Sequence, residues 1–112
     1  MKEEIISIET VVSKMLIEKN LTISIAESCT GGLVSATLIN YPGISSVFME
    51  GCVTYSNESK INRLGVNPNT LKVYGAVSEE TAREMAEGIA KNFDTNVAIS
   101  TTGIAGPDGG TI

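Results

Sequence analysis

Short apolar, β-branched runs alternate along this chain with helical stripes, and two of the runs empty directly into glycine-rich turns. Thr22 to Ala26 carries Ile23 and Ile25 and follows a turn signal, as a short strand does. It passes through Glu27 into Ser28-Cys29-Thr30-Gly31-Gly32, where a helix begins that continues from Leu33 to Asn40. Pro42-Gly43 closes that helix, because proline disfavours the helical conformation in the residue before it. Phe48 to Ser56 reads as a second strand with Val53 and Tyr55 on one face, and Asn96 to Ser100 as a third. Thr101 to Ile112 is a loop rich in glycine.

The intervening segments read as helices. From Glu3 to Asn20, Ile5, Ile8, Val12, Met15 and Leu16 fall near three- and four-residue spacing and predict one buried stripe. Asn57 to Leu64, ended by Gly65, and a second helix opening at Pro68 read as surface connections. Ser78 supplies an N-cap oxygen, Glu79 and Glu80 sit at the positive end of the dipole, and Ala82, Met85, Ala86, Ile89, Ala90 and Phe93 complete a stripe. The expected fold is α/β, a layered sandwich with a small central sheet flanked by helices. With 112 residues and 42% apolar content, the chain suffices for one domain, residues 1–112, around a single core.

Charge and composition narrow the chemistry. A net charge of -5, from 13 acidic against 8 basic residues, supplies no electropositive field for nucleic acid or an anionic membrane. MKEEIISIETVV lacks the basic and apolar regions of a signal peptide, so a cytoplasmic location is expected. Cys29 and Cys52 are too few for a disulfide framework or a cysteine-only zinc site. Above all, the chain has no histidine, which removes Ser-His-Asp and Cys-His pairs and every imidazole metal site.

Two places gather groups able to act. The Ser28-Cys29-Thr30-Gly31-Gly32 turn sets backbone N–H groups and a helix N-terminus around a small space, suited to an anion or an oxyanion. Ser28 there is either a nucleophile or, with Thr30, only a cap for the helix. Cys29 is either a rival nucleophile or a small buried residue, and Cys52 reads as core. With no imidazole, a proton from Ser28 must pass to a lysine, a tyrosine or a carboxylate. Lys2, Lys14, Lys19 and Lys91 lie on predicted helices and Lys72 in a polar connection; Lys60 follows the polar run that leaves the second strand, with Tyr55. Pattern alone leaves Lys60 open between a base and a solvated amine.

The second place, Thr101 to Gly110, lets backbone approach a ligand closely and offers hydroxyls and N–H groups, or is simply a mobile loop. It lacks the lysine and hydroxyl of a Walker loop, and no G-x-G-x-x-G occurs in the chain.

Taken together, AESCTGG at 26–32, VTYSNESK at 53–60, LGV at 64–66, GAVSEE at 75–80 and TGIAGPDGG at 102–110 resemble the CinA C-terminal domain family. The resemblance implies a nicotinamide-nucleotide amidase, converting nicotinamide mononucleotide to nicotinate mononucleotide and ammonia without metal or cofactor. By that resemblance Ser28 is the nucleophile, Tyr55 and Lys60 assist it, and Cys29, Thr30, Gly31 and Gly32 hold the oxyanion. Thr102, Gly103 and Gly106 would line the nucleotide pocket, while Glu27 would fix the turn. It also implies a homo-oligomer, and a domain truncated here before a final strand and helix. The other reading is a non-catalytic nucleotide-binding module associated with competence or DNA damage.

Overall fold

The computed structural model describes residues 6–104. Three parallel strands, β1 (Ile23–Glu27), β2 (Phe48–Val53) and β3 (Val97–Ser100), form one sheet in the order β2-β1-β3. All five residues of β1 are buried. Such a strand needs no polar alternation, because helices cover both faces of the sheet.

One face packs on α1 (Ile8–Lys19) and α2 (Leu33–Ile39), where Ile23 and Ile25 join Leu16, Leu38, Ile44 and Val47. The other packs on α3 (Asn57–Leu64), α4 (Pro68–Tyr74) and α5 (Glu79–Phe93). There Ala26 and Cys52 meet Leu64, Val66, Leu71, Met85 and Ile89. The architecture is the expected α/β sandwich. Its sheet changes direction of growth at β1, with β2 laid on one side and β3 on the other. The carboxyl end of β1 lies at this reversal, the place where open α/β sheets bind ligands.

Several details differ from the sequence pattern. α1 buries Ser13 and Leu16 and half-buries Val12, whereas Ile8 and Met15 are exposed. The helix is bounded by its Ser7 cap and by Asn20 in the left-handed region, and the stripe that joins the first core is the one carrying Val12, Leu16 and Ile17. The predicted start at Glu3, and Ile5 with it, lie outside the described residues. α3 and α4 are not surface connections, because Leu64, Val66 and Leu71 close the second core over Met85 and Ile89. Phe93, the last member of the α5 stripe, is exposed. β2 ends at Val53, which is also exposed, so Tyr55 falls beyond the strand.

Candidate active site

Glu27 ends β1 and folds its carboxylate over the start of α2. Oε1 accepts the Thr30 hydroxyl at 2.6 Å and the N–H groups of Gly32 and Val34, each at 3.0 Å. Oε2 accepts the Ser35 N–H at 2.8 Å. The orphan donors of the helix start are thus taken by a side chain from the preceding strand. The expectation that Ser28 or Thr30 caps α2 is corrected accordingly: Gly32 occupies the cap position and bears no side-chain cap. Its φ of 103° suits glycine, and the turn it makes lets the chain pass under the carboxylate.

Burial by itself raises the Glu27 carboxyl, but hydrogen bonds from Thr30, Ser35 and Val34 outweigh it and hold the group at about 2, against 4.5 when free. On acidification the unfolded chain therefore takes up the proton first. Stability from this group is complete above pH 4.5 and drains away as the pH falls to about 2. Linkage makes the loss about 3 kcal/mol. Urea midpoints of Glu27→Gln should be lower than wild type at neutral pH and flatter below pH 4.5; parallel curves would contradict the assignment.

Lys60 lies in the first turn of α3, whose Ser56 cap accepts the Ser59 N–H at 3.0 Å. Its side chain runs inward and is only 1% exposed. Nζ donates to Ser28 Oγ at 3.1 Å and to the Tyr55 carbonyl at 2.9 Å. Loss of solvent pushes the ammonium below the ordinary lysine range, opposed in part by Cys29 nearby. A neutral amine in this position keeps one N–H on Tyr55 O and turns its lone pair to the Ser28 hydroxyl. Ser28 as a whole is 5% exposed. The pair thus sets a hydroxyl and an amine in direct hydrogen-bond reach, a geometry that can serve serine activation without imidazole.

Tyr55 enters differently from the expectation. Its phenol is 69% exposed and carries no hydrogen bond to Ser28 or Lys60 among the described residues, while its backbone carbonyl orients the amine. The reason is local: β2 has ended and α3 has not begun, so the side chain points out as the backbone turns back over Lys60.

The proposed anion-holding set also divides. The Gly31 N–H donates to Ser28 O and the Gly32 N–H to Glu27, so both are already used. The Cys29 and Thr30 N–H groups have no acceptor among the described residues. Thr102 donates its hydroxyl to Ala76 O at 2.7 Å. Gly103 lies against Cys29, where a Cβ would stand 3.2 Å from Sγ. Gly106 lies outside the described residues. Thr101 was not singled out from sequence, yet its hydroxyl meets both the Ser28 N–H and the Thr30 hydroxyl. No spacing rule links residues 73 apart; its place just after a strand, in the glycine-rich loop, was the only signal.

Among the described residues no His, Cys, Asp and Glu cluster is arranged to hold a metal ion, and no helix is long and apolar enough to cross a membrane. Residues 5–112 match the model of the CinA C-terminal domain. A competence-damage inducible protein, so named, from Alkaliphilus oremlandii is 70% identical over 108 residues, 96% of this chain and 26% of its own. One of the same name from Clostridium beijerinckii is 71% identical over 109 residues, 97% of this chain and 27% of its own. The chain thus spans about a quarter of the length of these curated relatives. Among solved structures, competence damage-inducible protein A from Klebsiella pneumoniae superposes with a TM-score of 0.88 at 39% identity, over 91% of this chain and 63% of that one. A competence/damage inducible protein from Agrobacterium tumefaciens gives 0.85 at 39% identity, over 98% and 69%.

Proposed function

Because the chain belongs to the CinA C-terminal domain family, we propose that Ser28 and Lys60 form the centre of an amidase acting on nicotinamide mononucleotide. The observation that carries the reading is the 3.1 Å approach of a desolvated Lys60 Nζ to Ser28 Oγ. Neutral Lys60 takes the Ser28 proton as Oγ bonds to the carboxamide carbon, and the oxyanion forms against the N–H groups of Cys29 and Thr30. Lys60 returns the proton to the departing nitrogen, the C–N bond breaks, and ammonia leaves an ester on Ser28. Water, giving its proton to the same amine, then attacks the ester and frees nicotinate mononucleotide and Ser28.

Two features support serine over thiol as the nucleophile. Lys60 bonds the hydroxyl, and Cys29 Sγ packs on the Gly103 backbone. The test is ammonia release from nicotinamide mononucleotide, followed with an enzyme-coupled assay. Ser28→Ala should abolish it. Turnover that survives Ser28→Ala but disappears in Cys29→Ala would overturn the assignment, and nucleotide binding without turnover would favour a non-catalytic binding module.

A further inference from the structure

The Ser28 backbone is tied to the buried Glu27 carboxylate by hydroxyls whose protons run one way only. Glu27 faces three N–H groups and the Thr30 hydroxyl, and a carboxylate met by that many donors only accepts. Thr30 Oγ1 therefore commits its single proton to Glu27 Oε1 at 2.6 Å. In the 2.8 Å contact between Thr30 Oγ1 and Thr101 Oγ1, the proton must then come from Thr101. With that proton committed, Thr101 Oγ1 receives the Ser28 N–H at 3.2 Å. Thr101 is itself anchored just past β3, its own N–H on Ala26 O at 3.0 Å. Neither threonine belongs to the two apolar cores.

We propose that Thr30 and Thr101 are positioning residues which, with Glu27, form a one-directional hydroxyl relay that fixes the Ser28 backbone and leaves the Ser28 hydroxyl to Lys60 alone. Among the described residues Ser28 Oγ has no other partner. A relay with frozen rotors holds the turn without offering the nucleophile a competing acceptor. A water or a freely rotating hydroxyl at either threonine would let the turn shift relative to α3. The proposal rests on the reading of Ser28 as nucleophile.

Thr30→Val and Thr101→Val keep the shape and remove the hydroxyl; Thr30→Ser and Thr101→Ser keep the hydroxyl. Three measurements are made on each full-length variant: amide exchange at Ser28 by NMR, steady-state ammonia release, and the rate at which phenylmethanesulfonyl fluoride labels Ser28, read by mass. In the labelling reaction Oγ–S forms, S–F breaks, and the serine proton passes to buffer. The valine variants should lose protection at Ser28 and drop in kcat by at least about tenfold with KM little changed. Labelling should slow in parallel, and the serine variants should restore all three. Thr101→Ala, which only removes atoms, repeats the test should the valine variant not fold. Lost amide protection with unchanged kcat and labelling would show a merely structural bond and overturn the proposal, as would unchanged protection. If Ser28→Ala itself keeps turnover, the nucleophile reading falls, and the relay with it; if only the relay is wrong, Ser28→Ala stays inactive while the valine variants work normally.

Discussion

Lys60→Met and Lys60→Arg should each lower ammonia release by about a thousandfold or more, the range a positioned general base supplies. They do so for different reasons. The methionine thioether is far too weakly basic to take the Ser28 proton, whereas arginine keeps its charge at any working pH. In the wild type, turnover should rise with pH as the buried amine loses its proton, and the rise should begin below the ordinary lysine range because desolvation lowers Lys60. Residual activity in either variant should lose that limb. An arginine variant with near wild-type rates would mean that the amine does not act as a base.

The same substitution has an opposite consequence for stability. The protonated amine is desolvated, and among the described residues no carboxylate is hydrogen-bonded to it and Nζ reaches only Ser28 Oγ and a carbonyl. The unfolded chain binds that proton more tightly, so wild-type stability should increase with pH from the lowered Lys60 value up to 10.5. Lys60→Met abolishes this slope. At neutral pH it should unfold at a higher temperature than wild type, since a volume-matched apolar chain needs no hydration. Differential scanning calorimetry across the pH range measures both effects. A lower melting temperature at neutral pH would show that the two hydrogen bonds outweigh desolvation.

Gly88→Ala should destabilise the fold severely, against what helix propensity suggests. Gly88 lies inside α5, where alanine is ordinarily better by about 1 kcal/mol. Here a Cβ would fall on the Leu64 carbonyl oxygen, 2.8 Å from its carbon and 3.1 Å from Cα. Those are backbone atoms at the end of α3, pinned by the Gly65 N–H on Ile61 O and by Leu64 in the core. No side chain is there to swing aside. Overpacking against fixed backbone costs about 3 kcal/mol, which exceeds the propensity gain and lowers the melting temperature on the order of 10 °C or more. Relief by a shift of α3 would carry Lys60, one turn earlier, away from Ser28. The variant should therefore lose turnover as well as stability, and a melting temperature at or above wild type would refute the packing argument.

Much of the architecture is legible in the sequence. β1, the start of α2, the capped α5 and the alternation that makes an α/β sandwich all follow from local pattern, since caps, turns and stripes are written within a few residues. The absence of histidine restricted the proton acceptor to a few groups, and Lys60 stood out by its setting after the second strand. Local pattern failed wherever a contact joined distant parts of the chain. Spacing placed Ile8 and Met15 inside α1 because periodicity identifies a stripe but not the surface it meets. α3 and α4 looked like surface links because each alone is short and polar; their few apolar residues count only when α5 is opposite them. Tyr55 matched a motif, yet only the backbone path after β2 shows its carbonyl, rather than its phenol, meeting Lys60.

The sequence by itself determined the order of the elements, the glycine-rich turn after β1 and a chemistry without imidazole, because these depend on residue type and near neighbours. Tertiary structure alone decided that Lys60 is buried rather than solvated, that Glu27 rather than a hydroxyl caps α2, and that Gly88 packs against the Leu64 backbone. Each of those outcomes is set by burial and by atoms brought together from separate elements. Desolvation and steric exclusion act through space, and the same residue in the same local pattern would behave otherwise if a different helix lay across it.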